Sequence, residues 1–190
     1  MDDLYQKVYD KLKDSSKTVF MGIGEEKLTD DAIGPYIIGE LLDYSDPKHL
    51  FVNAGTDPMA RIDDIINFEA SHLVIFDTCS LNKEPGTIAI IERENIADYV
   101  PISSHTIPIH IVIDLIIQKL PNIEIFMIGF VPESLDGFKE LTIHEKRRDA
   151  LLEMEDNIEI PFFQINLSET IKKAADHVIS IIKKLIKNLS

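Results

Sequence analysis

The chain has 190 residues, of which 45% are hydrophobic, and carries a formal net charge of −14. This is enough apolar material for a full core, and we expect one domain over residues 1–190. The charge argues against nucleic acid and anionic membrane surfaces as partners, since either would need a basic face, which no segment except the last helix supplies.

The first residues and the cysteine content indicate an intracellular protein. Residues 1–12 are acidic and amphipathic, without the basic start and apolar run of a secretory signal. The single Cys79 excludes an internal disulfide. No apolar segment approaches the roughly 20 residues of a membrane-spanning helix. We therefore expect a cytoplasmic monomer that does not insert into membranes.

Strand and helix patterns alternate along the chain. A first helix is predicted over residues 2–14, and later helices after Asp31, at 59–68, after Pro108 and at 168–188. Short apolar runs predict strands at 16–24, 49–56, 72–78, 86–92 and 123–131, and an additional edge strand at 160–167. Continuously apolar strands are typical of a sheet covered on both faces. We expect an α/β fold, a three-layer sandwich in which a mostly parallel, twisted sheet of about five strands is flanked by helices.

Residues 136–159 are charge-dense and show only enough periodicity for a short helix, so we interpret them as an excursion on the surface of the domain. The helix after Pro108 has its apolar positions at Ile111, Val112, Leu115 and Ile116, with polar residues before it that are suited to N-capping.

Three side chains that can bind a metal follow predicted strands. Asp31 comes after the first strand, Asp77 ends the strand at 72–78, and His105 precedes the helix that begins near Pro108. A parallel sheet gathers such ends along one edge, so we expect an open, solvent-facing cluster there. Two carboxylates and one imidazole suit nickel or zinc and leave coordination positions for water or for a partner's groups.

Each of these residues also has a structural interpretation. Asp30 or Asp31 could cap the following helix, Asp77 could cap a turn, and His105 could be one more polar residue at a helix start. Cys79 could be a nucleophile, but a neighbouring carboxylate makes a thiol less reactive, and a small buried residue is the favoured interpretation.

The segment Met21–Gly24 does not indicate a dinucleotide site. Lys27 replaces the third glycine of the G-x-G-x-x-G pattern, and the acidic Glu25 and Glu26 would repel a pyrophosphate.

Four stretches, in order, resemble the endopeptidases that mature nickel-iron hydrogenases by trimming the C-terminus of the large subunit. They are FMGIGEEKLTDDAIGP at 20–35, VIFDTCS at 74–80 with EPGTI at 84–88, SSHTIPI at 103–109, and IGFVPES at 128–134. The last predicted helix is similar to the family's closing helix. Glu25 departs from the family's usual asparagine, and the excursion at 136–159 is longer than the family's.

The resemblance implies an endopeptidase that removes the C-terminal extension of a nickel-iron hydrogenase large-subunit precursor after nickel insertion. It implies that Asp31, Asp77 and His105 form the metal-recognition site, with Asp31 and Asp77 as candidate catalytic groups. The metal is then the nickel of the substrate, no cofactor is tightly bound, and a surrogate divalent ion could occupy the site. Two alternatives remain open: a self-sufficient zinc-dependent hydrolase, and a non-catalytic hydrogenase assembly chaperone.

Overall fold

A computed structural model describes residues 3–100, 107–135 and 167–189 of the chain. Five strands form one sheet: β1 Thr18–Ile23, β2 His49–Gly55, β3 His72–Thr78, β4 Ile88–Glu92 and β5 Glu124–Phe130. The α-helices are α1 Asp3–Leu12, α2 Ile33–Leu41, α3 Ile62–Phe68, α4 Ile96–Tyr99, α5 Ile109–Lys119 and α6 Glu169–Leu189. Short 3-10 turns precede α2 at Thr29–Ala32 and α3 at Pro58–Arg61.

The strand order is β2-β1-β3-β5-β4, and β4 alone is antiparallel to its neighbour in this sheet. From β1, the chain moves outward to β2 in one direction and then crosses to β3 on the other side. The strand order therefore reverses between β1 and β3, and open α/β sheets bind ligands at such a reversal, beyond the carboxyl ends of the strands.

Alternate residues of the strands pack against two different helical layers, as a pleated sheet requires. Phe20 and Phe76 lie in the core shared with α1, α2 and α6, whereas Met21 and Ile75 lie in the core shared with α3, α4 and α5. The Phe20 ring stacks on those of Phe51 and Phe76, with centroids 4.9 and 6.2 Å away. The predicted three-layer α/β architecture is confirmed.

Two glycines allow α2 to approach the sheet closely. A Cβ atom at Gly34, in the first turn of α2, would lie 2.2 Å from the carbonyl oxygen of Ile23 and 2.6 Å from that of Phe76. A Cβ atom at Gly22 would lie 2.3 Å from the Gly34 carbonyl oxygen. The first turn of α2 therefore rests directly on the ends of β1 and β3, which fixes the loop that carries Asp31.

The helix after Pro108 differs in register from the prediction. It begins at Ile109, its buried residues are Ile109, Val112, Ile113 and Ile116, and Pro108 is its N-cap, with no side-chain cap. Ile111, expected on the inner face, is 41% exposed. The i, i+3, i+4, i+7 stripe starts two residues earlier than expected, which rotates Ile111 outward. The short helix α4 was not predicted.

Several predictions lie outside the described residues. These are the surface excursion at 136–159 and residues 160–166 of the predicted edge strand. Among the helices that are described, none combines the length and apolar character needed to cross a bilayer.

Candidate functional site

Asp31 and Asp77 both lie at the carboxyl edge of the sheet, where the strand order reverses. Asp31 lies in the 3-10 turn that follows β1, and Asp77 is the penultimate residue of β3, the neighbour of β1. The prediction that these two residues share the carboxyl edge of the sheet agrees with this topology.

The Asp31 carboxylate is held by one hydrogen bond on each oxygen. The backbone N–H of Glu25 donates to Oδ2 at 2.8 Å, and the hydroxyl of Thr78 donates to Oδ1 at 3.2 Å. The first bond comes from a main-chain group, so any residue except proline could make it at position 25. The glutamate that departs from the family's asparagine therefore does not disturb the anchoring of Asp31.

Thr78 connects the two carboxylates. Its backbone N–H donates to Oδ1 of Asp77 at 2.7 Å, while its hydroxyl reaches Asp31. Because side chains alternate along a strand, Asp77 points to the face covered by α3 to α5, and Thr78 points to the face covered by α2. Sequence reasoning did not single out Thr78, although its place directly after Asp77 at a strand end was the available signal.

Asp30, the neighbour of Asp31, has a different role. Its Oδ2 accepts from the backbone N–H groups of Glu133 and Ser134 at 2.9 and 2.8 Å and from the Ser168 hydroxyl at 3.1 Å. Its Oδ1 accepts from the Ser168 N–H at 2.7 Å. This carboxylate thus ties the loop after β1 to the loop after β5 and to the residue that precedes α6.

The suggestion that Asp30 or Asp31 caps the following helix is wrong. Leu28 and Ala32 occupy the N-cap positions of the 3-10 turn and of α2, and neither makes a side-chain capping bond. The donors that these carboxylates accept from lie outside both the 3-10 turn and α2.

The expectation that the carboxylates face solvent openly is also wrong. Asp31 is 3% exposed and Asp77 is 1% exposed. The close approach of α2 to the sheet and the hydrogen bonds from Glu25 and Thr78 hold Asp31 inside the molecule, whereas Asp77 is buried on the face covered by α3 to α5. Electrostatic interactions at such a place are stronger than at a solvated surface.

His105 lies outside the described residues. The described chain resumes at Ile107, which packs against the core on the Asp77 side of the sheet, and enters α5 at Ile109. Within residues 3–100, 107–135 and 167–189, no three His, Cys, Asp or Glu side chains form a group that could hold a metal ion. The three-residue metal site therefore stays a prediction.

Cys79 is buried and poorly suited to nucleophilic attack. Burial and, to a smaller extent, the nearby charge of Asp77 raise the pKa of its thiol to about 12. Its sulfur packs where a Cβ atom at Gly129 would lie 2.9 Å away. The predicted role of Cys79 as a small buried residue is confirmed.

A separate cleft of about 810 Å³ lies between α1, β4 and α6. Its described lining includes Lys7, Ile88 and His177, but not Asp31, Asp77 or Thr78. Asp31 and Asp77, which we call the acid pair, are therefore not part of this cleft.

Comparison with protein families gives a match to HycI, hydrogenase maturation protease, over residues 35–159. The chain is similar to a putative hydrogenase maturation protease of Methanocaldococcus jannaschii, with 34% identity over 135 residues that cover 67% of this chain and 79% of the relative. It is also similar to the hydrogenase 3 maturation protease of Escherichia coli K12, with 23% identity over 124 residues covering 65% and 78% of the two chains.

Solved structures show the same fold. The [NiFe] hydrogenase maturation protease HycI of Thermococcus kodakarensis superposes with a TM-score of 0.72 at 23% identity, covering 95% of this chain and 99% of its own. The endopeptidase HycI of Escherichia coli gives a TM-score of 0.62 at 21% identity, covering 86% and 87%. The architecture built from β1 to β5 is therefore shared with these proteins.

Proposed function

The chain belongs to the hydrogenase maturation protease family and is a peptidase, and from this premise we propose that it removes the C-terminal extension of a nickel-iron hydrogenase large-subunit precursor. The observation that carries the proposal is that Thr78, at the reversal of the strand order, donates a hydrogen bond to both Asp31 and Asp77. Sheets of this type bind ligands at such a reversal, which supports a functional role for the two carboxylates.

The nickel of the substrate is the group that this site recognises. Asp31, Asp77 and His105 would supply two carboxylates and one imidazole, a set that suits a borderline divalent ion but lacks thiolates. Such a set binds a free ion weakly, whereas an ion already held by the precursor needs only a few further ligands. Contact with that nickel would report that its insertion is complete.

The same contact serves catalysis by positioning. Fixing the metal fixes the peptide attached to it, which brings the scissile bond to the carboxylates and removes most of the entropy cost of alignment. The bound nickel can polarise the scissile carbonyl or a water molecule. Asp31 or Asp77 would act as the general base for that water, which makes the activity aspartyl-type, since the buried thiol of Cys79 is unsuited to the task.

The burial of the pair has a consequence for docking. With 3% of Asp31 and 1% of Asp77 exposed, the carboxylates have at most a narrow opening to the surface. Binding of the precursor has to widen this opening, and part of the binding energy is used for that change. We place this reaction in the cytoplasm.

The proposal is tested by incubating the purified protein with nickel-loaded and nickel-free precursor and measuring the product masses. We expect the extension to be removed from the nickel-loaded precursor alone, and elemental analysis to find the purified protein essentially free of metal. Asp63→Asn, a change at an exposed aspartate of α3, is the matched control for Asp31→Asn.

Other outcomes point to other functions. Tight stoichiometric zinc together with equal cleavage of the two precursors would show a self-sufficient zinc hydrolase. Stable binding of nickel-loaded precursor without a shortened product would show an assembly chaperone.

A further inference from the structure

Thr78 reaches the acid pair from a rigid position. It is the last residue of β3, it is 3% exposed, and it pairs with Phe130 of β5 in the parallel ladder. Its β-branched side chain has few rotamers available, so the fixed backbone also fixes the direction of the hydroxyl. That hydroxyl donates to Oδ1 of Asp31 at 3.2 Å.

Of the two hydrogen bonds that Thr78 donates, one comes from its backbone and the other from its side chain. The bond to Asp77 comes from the backbone N–H and survives any substitution except proline. The bond to Asp31 comes from the hydroxyl and disappears when the side chain is valine, which has nearly the same shape. Within the described part of the chain, the hydrogen bond made by the Thr78 side chain is therefore the one to Asp31.

Asp31 depends on this contact because it lies on a loop rather than on a strand. Its hydrogen bond from the Glu25 N–H lies within the same loop and does not connect the carboxylate to the sheet. The Thr78 hydroxyl ties the Asp31 carboxylate to the central sheet, and hence to Asp77.

We propose that Thr78 is a positioning residue, whose hydroxyl holds Asp31 at a fixed distance from Asp77. This inference rests on the proposed function, since it gives the acid pair its geometry. In the absence of the hydroxyl the precursor still docks through the rest of its interface, but fewer complexes hold the metal and the scissile bond in line. The effect falls on kcat rather than on KM.

The test compares Thr78→Val with Thr78→Ser in cleavage of nickel-loaded precursor. We expect the valine variant to lose about 10- to 100-fold in kcat, the range for one hydrogen bond to a charged group, with KM nearly unchanged. The serine variant keeps the hydroxyl and should retain most of the activity. Thr18→Val, at an equally buried threonine at the opposite end of the sheet, is the matched control.

Urea unfolding of each variant separates positioning from folding. A valine variant with near-normal stability, low kcat and rescue by serine supports the proposal, whereas near-normal kcat in Thr78→Val, or an equal loss in Thr78→Ser, overturns it. If the valine variant does not fold, Thr78→Ala is measured against the serine variant in its place. Asp31→Asn shows which proposal has failed. If Asp31→Asn stops cleavage while Thr78→Val cleaves normally, only the positioning role of Thr78 is wrong. If both variants cleave normally, the proposed site is wrong as well.

Discussion

Replacement of Asp30 by alanine should destabilise the protein by several kcal/mol. The carboxylate accepts four hydrogen bonds, at 2.7, 2.8, 2.9 and 3.1 Å, and its residue is 0% exposed. Alanine would leave the backbone N–H groups of Glu133, Ser134 and Ser168 without this acceptor. A hydrogen bond to a charged group contributes about 1.5–3 kcal/mol, but such contributions do not add fully, and we expect a total loss of about 3–5 kcal/mol.

Asparagine at position 30 should cost less than alanine, because it keeps one oxygen. Three of the four donors converge on Oδ2, so the amide oxygen would take that place and turn the NH2 group toward the Ser168 N–H. Two donors would then face each other. We expect a loss of about 2–3 kcal/mol for this variant.

Urea unfolding followed by circular dichroism measures both losses, and thermal unfolding gives a second estimate. A loss of 3–5 kcal/mol corresponds to a fall in Tm of about 6–20 °C for a chain of this length. Asp57→Ala is a suitable control, since that exposed carboxylate accepts one backbone bond, from Ala60 at 3.2 Å, and should cost about 1 kcal/mol. A loss below about 1 kcal/mol for Asp30→Ala would refute the assigned structural role.

Three further predictions concern the site and the amino ends of the strands. Asp31→Asn, Asp77→Asn and His105→Ala should each abolish cleavage of nickel-loaded precursor; near-normal cleavage by two of them would refute the assigned site. Cys79→Ser should keep most of its activity, and a loss above about 100-fold, or about 2.7 kcal/mol, with normal folding would restore the thiol as a nucleophile. Burial lowers the pKa of His72 below 6.5, so the stabilising effect of this residue is present above that pH and declines as the pH falls. Urea unfolding between about pH 7 and pH 5 should therefore show a smaller decline in the free energy of unfolding for His72→Gln than for the unmodified protein.

The strands were predictable because their pattern is local. A continuously apolar run bounded by polar residues gave 72–78 for β3, which matches the observed His72–Thr78. The strand predicted at 16–24 is longer than β1 by Ser16 and Lys17 at its start and by Gly24 at its end. The position of Asp77 at a strand end follows from the prediction of β3 alone.

The partners of the aspartates were not predictable from local pattern. Asp30 binds Glu133, Ser134 and Ser168, which are more than 100 residues away along the chain. The burial of Asp31 depends on the close approach of α2 to the sheet. Gly22 and Gly34 permit this approach, but their presence in the sequence does not predict it. Such contacts are set by tertiary packing, on which a single sequence carries little information.

Asp30 and Asp31 have different roles because their side chains point in different directions from the same 3-10 turn. A 3-10 helix has three residues per turn, so neighbouring side chains point about 120° apart. From adjacent positions in Thr29–Ala32, the Asp30 carboxylate reaches the start of α6, and the Asp31 carboxylate reaches Thr78. A one-residue insertion before this turn would shift each side chain by one position, so that Asp30 would take the direction of Asp31 and Asp31 would point about 120° away from the site. The length of the loop after β1 is therefore as much a requirement of the site as the carboxylates themselves.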